Sequence, residues 1–189
     1  MEASLVEIIS HVFVAEIQGI KLENQLVLLA IEALLVFVPG IVLQKNGKIP
    51  YRRLVHIFLL LAYLGIVLSI TVFRRAEGSR EGIVHLGVIL GLGIKTGQPS
   101  KWVGTFSAFN VLLFVPLGVL IFFFFREKKA LRGVGLTTLI GMMISLAIET
   151  TQLITGRGMF EVSDIITNTA GSFIGAFIDW IIVKCRKRK

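Results

Sequence analysis

Five apolar runs, each close to the length that crosses a bilayer, constrain this chain more than any other feature. They occupy residues 26–43, 54–73, 106–125, 134–154 and 162–183. About 20 apolar residues in a helix span the hydrocarbon core. The runs therefore predict an all-α integral membrane protein of about five transmembrane helices. Of the 189 residues, 54% are hydrophobic, and a soluble domain of that size needs more polar surface to cover its core.

Polar punctuation separates the runs: QKNGKIPYRR, a long Gly-containing stretch over 74–105, REKKALR and TGRGMFE. Within the long stretch, GIVHLGVILGLG (82–93) is too short to span and reads as a re-entrant or interfacial piece. Residues 5–20 place Glu7, His11 and Gln18 near one face at helical spacing, which predicts an amphipathic interfacial helix. The first 25 residues lack a basic leader, an unbroken apolar core and a small-residue cleavage site, so no cleaved signal peptide is expected. The organisation reads as an amphipathic segment over 1–25, a transmembrane domain over 26–183 and a basic tail over 184–189.

Lys and Arg set the expected orientation. Lys45, Lys48, Arg52 and Arg53 follow the first run; Arg126, Lys128, Lys129 and Arg132 follow the third; Lys184, Arg186, Lys187, Arg188 and Lys189 form the tail. With five spans, these thirteen of the 20 basic residues fall on one side. The N-terminus is then outside and the C-terminus cytoplasmic. The same topology accounts for the net charge of +8 through contacts with anionic head groups, so no nucleic-acid partner is expected.

Several chemistries find no support. Cys185 is the only cysteine, which excludes an intrachain disulfide and a cysteine-based metal cluster. His11, His56 and His85 show no ligand spacing, and no Walker loop, HExxH or GxSxG occurs. Neither a metal nor a cofactor is expected. Without an internal repeat, a repeat-built transporter is disfavoured.

The polar residues inside the runs are more informative. Asn110 lies near the start of the third run, Glu149 and Gln152 near the end of the fourth, Arg157 in the following turn, and Asp164 and Asn168 at the start of the fifth. In the topology above, all six sit in the outer half of the membrane. Ser145, Glu149 and Gln152 share one helix face, as do Asp164, Asn168, Gly171 and Gly175. Gly171 and Gly175 form a small-xxx-small pair that lets a neighbour approach, and the fourth span, joined by a short turn, is the expected partner. An ionisable group in hydrocarbon costs at least about 2.5–3.5 kcal/mol, which favours a functional site. The competing reading is a structural network of Glu149, Arg157 and Asp164 that fixes helix register. Glu32 either joins the cluster or faces a cavity; Asp179 reads as interfacial, and Phe122 to Phe125 as lipid-facing or packing surface.

The motifs FNVLLFVPLGVL (109–120), IETTQ (148–152), Arg157 and SDIITNTAGSFIG (163–175), in that order, resemble the VanZ-like family of membrane proteins. TVFRR (71–75) resembles the end of that family's preceding helix, and its Arg74 is, with Glu32, an additional candidate for the polar cluster. The loop departs from the pattern: many relatives carry an Asn-Leu-x-Pro-Phe-type element where this chain reads VHLGVILGLG, with Pro99 further on. The resemblance implies a bacterial cell-membrane protein of the cell envelope. It also implies an association with lowered susceptibility to teicoplanin-type lipoglycopeptides. Two functions follow as expectations. One is binding or shielding, with a membrane lipid, a lipid-linked cell-wall intermediate or a lipoglycopeptide antibiotic as partner. The alternative is an intramembrane enzyme using two carboxylates as acid and base on a lipid-linked substrate.

Overall fold

The computed structural model describes residues 3–80, 82–91, 100–127 and 130–186, with Ala130 described by its backbone alone. Pro99, Lys128, Lys129 and residues 187–189 of the basic tail lie outside the described residues. Of the described residues, 78% are helical. Six helices follow one another: α1 (Leu5–Ile17), α2 (Leu22–Lys45), α3 (Tyr51–Leu68), α4 (Lys101–Phe122), α5 (Ala130–Thr155) and α6 (Val162–Arg186). A π-helical turn, Ser69–Phe73, extends α3, and a single 3₁₀ turn, Phe123–Phe125, extends α4. Among the described residues, five helices are long and apolar enough to cross a membrane, and they correspond to the five apolar runs.

Leu, Ile, Val and Phe cover the outer faces of these helices, with residues such as Leu34, Leu112, Leu139 and Ile178 exposed. Facing lipid, they add no drive toward helix association, because lipid tails are as apolar as they are. Cohesion has to come from close packing. The tightest contact is α4 against α6, where small residues let the backbones meet. A methyl group on Gly118 would strike the backbone of Ser172, one on Gly171 the carbonyl of Val111 and Phe114, and one on Gly175 the carbonyl of Val115. The glycine stripe of α6 therefore packs on the third span rather than the fourth. The reason lies in α4, whose Gly118 offers a second Cβ-free surface at the crossing. Contact with α5 is made by side chains instead: Gly141 makes room for Ser172, and Asn168 Nδ2 donates to Ser145 Oγ at 2.9 Å.

Val67, Val72, Phe114, Leu117, Ile121 and Ile148 form the apolar core shared by α3, its π turn, α4 and α5. At one end of the bundle Arg126 closes on Asp179, its Nε and Nη2 donating to both carboxylate oxygens at 2.7 Å. Asp179 is thus buried against Arg126. Phe122 is buried beside Val134 and Ala176, and Phe123 stacks on His56 at 3.5 Å, so part of this aromatic run packs inward.

α2 packs mainly against α3, with Gly40 seated on Leu54 and Gly65 beside Glu32, and Gln25 Nε2 donates to Ser69 Oγ in the π turn at 2.7 Å. α1 packs on α4 through buried Ile8 and Val12. Glu7 and His11 are exposed one turn apart on α1; Glu7 also closes a capping box with Ser4, and Gln18 is the C-cap before Gly19 turns the chain at φ 92°. The stretch 82–91 is neither a span nor a helix. Val84–His85 (β1) pairs in parallel with Phe160–Glu161 (β2), the short strand that opens into α6.

Candidate functional site

The ends of α1 and α5, the π turn and the beginnings of α4 and α6 meet at the end of the bundle opposite Arg126, where they enclose a cavity of about 750 Å3. Each wall is placed by a local feature of the sequence. Gly156 at φ 61° ends α5 in a left-handed turn: Gly156 N–H donates to Leu153 O at 3.3 Å and Arg157 N–H to Gln152 O at 3.0 Å. This αL reversal is the usual helix stop for glycine. It sends the chain back through β2 into α6, so Glu149 and Asp164 face the same space from antiparallel neighbours. The π turn repositions the residues that follow α3, and such turns recur at functional positions. Thr71 O there accepts from Gln152 Nε2 at 3.0 Å.

Five sequence-selected residues, Asn110, Glu149, Gln152, Asp164 and Asn168, line the cavity together with Arg74. Glu149 is 1% exposed, and its Oε2 accepts the Glu161 N–H at 2.8 Å. Asn168 Oδ1 is buried with no hydrogen-bond partner among the described residues. Asn110 comes from α4 to face Asp164.

Two selected residues fall elsewhere. Arg157 does not line the cavity, because the reversal at Gly156 carries its side chain to Glu77, Nη2 to Oε2 at 3.3 Å. The Glu149–Arg157–Asp164 network of the competing structural reading is therefore not formed among the described residues. Glu32 also lies outside; it is held on α2 beside Gly65, with Oε2 buried and without a hydrogen-bond partner among the described residues.

The cavity also holds charged residues that sequence reasoning passed over: Glu16, Arg75, Arg80, His85 and Glu161. Arg74 is committed to the fold. Its Nη2 pairs with Glu16 at 2.9 Å, Nη1 donates to Ala15 O, and Nε donates to Ile70 O at 2.6 Å, fastening the end of α1. Arg75 makes no hydrogen bond or ion pair among the described residues. Burial first, and then the charges of Arg74 and Arg80, push its guanidinium below the usual range. His85 Nδ1 meets Glu161 Oε1 at 3.0 Å across the β1–β2 pair, at the cavity rim. The doubled arginine in TVFRR was a visible signal for Arg75. Nothing in the local pattern signals the β1–β2 pairing, because its partners are 76 residues apart.

The arrangement is a polar chamber at the end of an apolar bundle. Guanidiniums from the α3 end oppose carboxylates from α5 and α6, with amides between them. Such a fold and chamber define a multi-pass helical membrane protein with a polar cavity at one end of its bundle. Residues 58–183 match the VanZ/LLP1 family, and the chain belongs to that family. It is similar to Protein VanZ of Enterococcus faecium, 35% identical over 66 residues, a stretch that is 35% of this chain and 38% of that relative. The chain thus matches well under two thirds of that relative's length. No solved structure gives a significant match.

Proposed function

We propose that this protein binds the phosphate- or carboxylate-bearing headgroup of a lipid-linked envelope component, or of a lipoglycopeptide antibiotic, at the outer leaflet of the bacterial membrane. The observation that carries this reading is Arg75, an arginine without an ion pair among the described residues, set in the wall of the cavity that Glu149 and Asp164 also line. A guanidinium presents a planar fork of donors that matches phosphate and carboxylate. Glu149 and Asp164 accept from hydroxyl or ammonium groups of the same ligand, while Asn110, Gln152 and Asn168 orient it. The positive-inside distribution supports placing the cavity outside, the N-terminus outside and the C-terminus in the cytoplasm. Membership in a family associated with teicoplanin resistance supports an envelope role.

The test pairs stability with binding. Arg75→Gln and Glu149→Gln are expected to keep the detergent melting temperature of the parent while losing co-purified phosphate-bearing lipid and any lipoglycopeptide protection. Full retention of ligand and phenotype in both well-folded variants rejects the proposal. Conversion of the bound lipid to a new product by the parent, lost in Glu149→Gln, favours the enzyme instead.

A further inference from the structure

A second charged cavity lies at the other end of the bundle, between the start of α3 and the end of α4. It has a volume of about 420 Å3 and is lined by Tyr51, Arg52, Val55, His56, Leu59, Phe123 and Arg126. One aromatic ring organises its charges. The Arg126 guanidinium sits 4.8 Å from the Phe123 centroid and that of Arg52 5.6 Å from it, while His56 stacks on the same ring. Two guanidiniums thus lie near one ring centre. Asp179 supplies one carboxylate, and both its oxygens are taken by Arg126. Arg52 makes no hydrogen bond or ion pair among the described residues. Among the described residues one positive charge therefore stands unmatched, at the same ring as a second guanidinium, in a partly apolar cavity. Such a pair suits an anion with several acceptor oxygens.

The apolar walls identify the kind of anion. Arg52, Val55 and Leu59 follow one another at spacings of three and four along a single face of α3. At 1.5 Å per residue, Leu59 is about 10 Å farther into the bilayer than Arg52. Cation first and aliphatic surface beneath is the order of a phospholipid, with its phosphate at the boundary and its acyl chain along the helix. A free phosphate would have no use for the lower half. We infer that this cavity holds the phosphodiester of an anionic phospholipid, with Arg52 and Arg126 on the phosphate and Val55 and Leu59 against the acyl chain. The site lies on the opposite membrane face from the large chamber and does not depend on the function proposed for it.

The experiment is lipid retention by native mass spectrometry of the full chain released from detergent, titrated separately with phosphatidylglycerol and phosphatidylcholine. The parent retains phosphatidylglycerol in preference to phosphatidylcholine. Arg52→Gln weakens that preference about fivefold, the weight of one cation at a membrane surface. Arg52 is exposed, so the variant folds. Arg53→Gln, one residue away and outside the lining of this cavity, leaves the preference unchanged. Soluble glycerol phosphate does not displace the lipid. The inference is overturned by any of three results: equal retention of both lipids by the parent, an Arg53→Gln loss as large as that of Arg52→Gln, or displacement by glycerol phosphate.

Discussion

Arg74 and Arg75 are adjacent in sequence, yet the fold gives them different tasks. Arg74 is tied to Glu16, Ala15 and Ile70, whereas Arg75 faces the chamber without a hydrogen-bond or ion-pair partner among the described residues. Arg74→Gln is expected to loosen α1 from the bundle, seen as faster proteolysis near Gly19 and a lower melting temperature. Arg75→Gln should leave both unchanged. Arg126→Ala strands the buried carboxylate of Asp179 and should cost about 3–5 kcal/mol. Arg157→Gln breaks only a pair with exposed Glu77, and such pairs are worth about 0–1 kcal/mol. A detergent unfolding series on these four variants would check the ranking; an Arg157→Gln loss as large as that of Arg126→Ala would contradict it. The sequence made Glu149, Asp164 and Asn168 legible because polar residues in apolar runs stand out. The task of an arginine just beyond a run was not legible, because it depends on which way the chain turns after Phe73 and after Gly156.

At the scale of elements, the five spans were readable to within a few residues, since length and hydrophobicity alone decide them in lipid. Which spans touch was harder to read. The Gly171 and Gly175 stripe announced a close neighbour, but the complementary Gly118 on α4 is a single glycine within FVPLGVL and carries no periodic signal. Substituting Leu at Gly171 or Gly175 drives a side chain into the backbone of α4, and overpacking of this kind costs about 1–3 kcal/mol. Ile174→Leu, on a half-exposed face, should be near neutral. Thermal melts in detergent of the three variants test the contact, and equal stability in all of them would place the stripe toward lipid. The rim formed by β1 and β2 was invisible for another reason: two-residue strands have no pattern length, and their pairing follows from how α5 and α6 bring Phe160 beside Val84.

For the whole molecule, the basic ends of α2, α4 and α6 lie at one end of the bundle and the chamber at the other. A reporter fused to the C-terminus is expected to behave as cytoplasmic and one inserted at Gly156 as external; the reverse pattern would put the chamber on the inner face. The central claim is that the chamber holds an anionic headgroup. Photocrosslinking in living bacteria tests it most directly, with a benzophenone side chain placed at Ser107 in the chamber or at Leu139 on the lipid face. The account predicts a discrete phosphate- or carboxylate-bearing adduct at Ser107, abolished by Arg75→Gln, and only bulk phospholipid at Leu139. Identical bulk-lipid adducts at both positions, unaffected by Arg75→Gln, would contradict it.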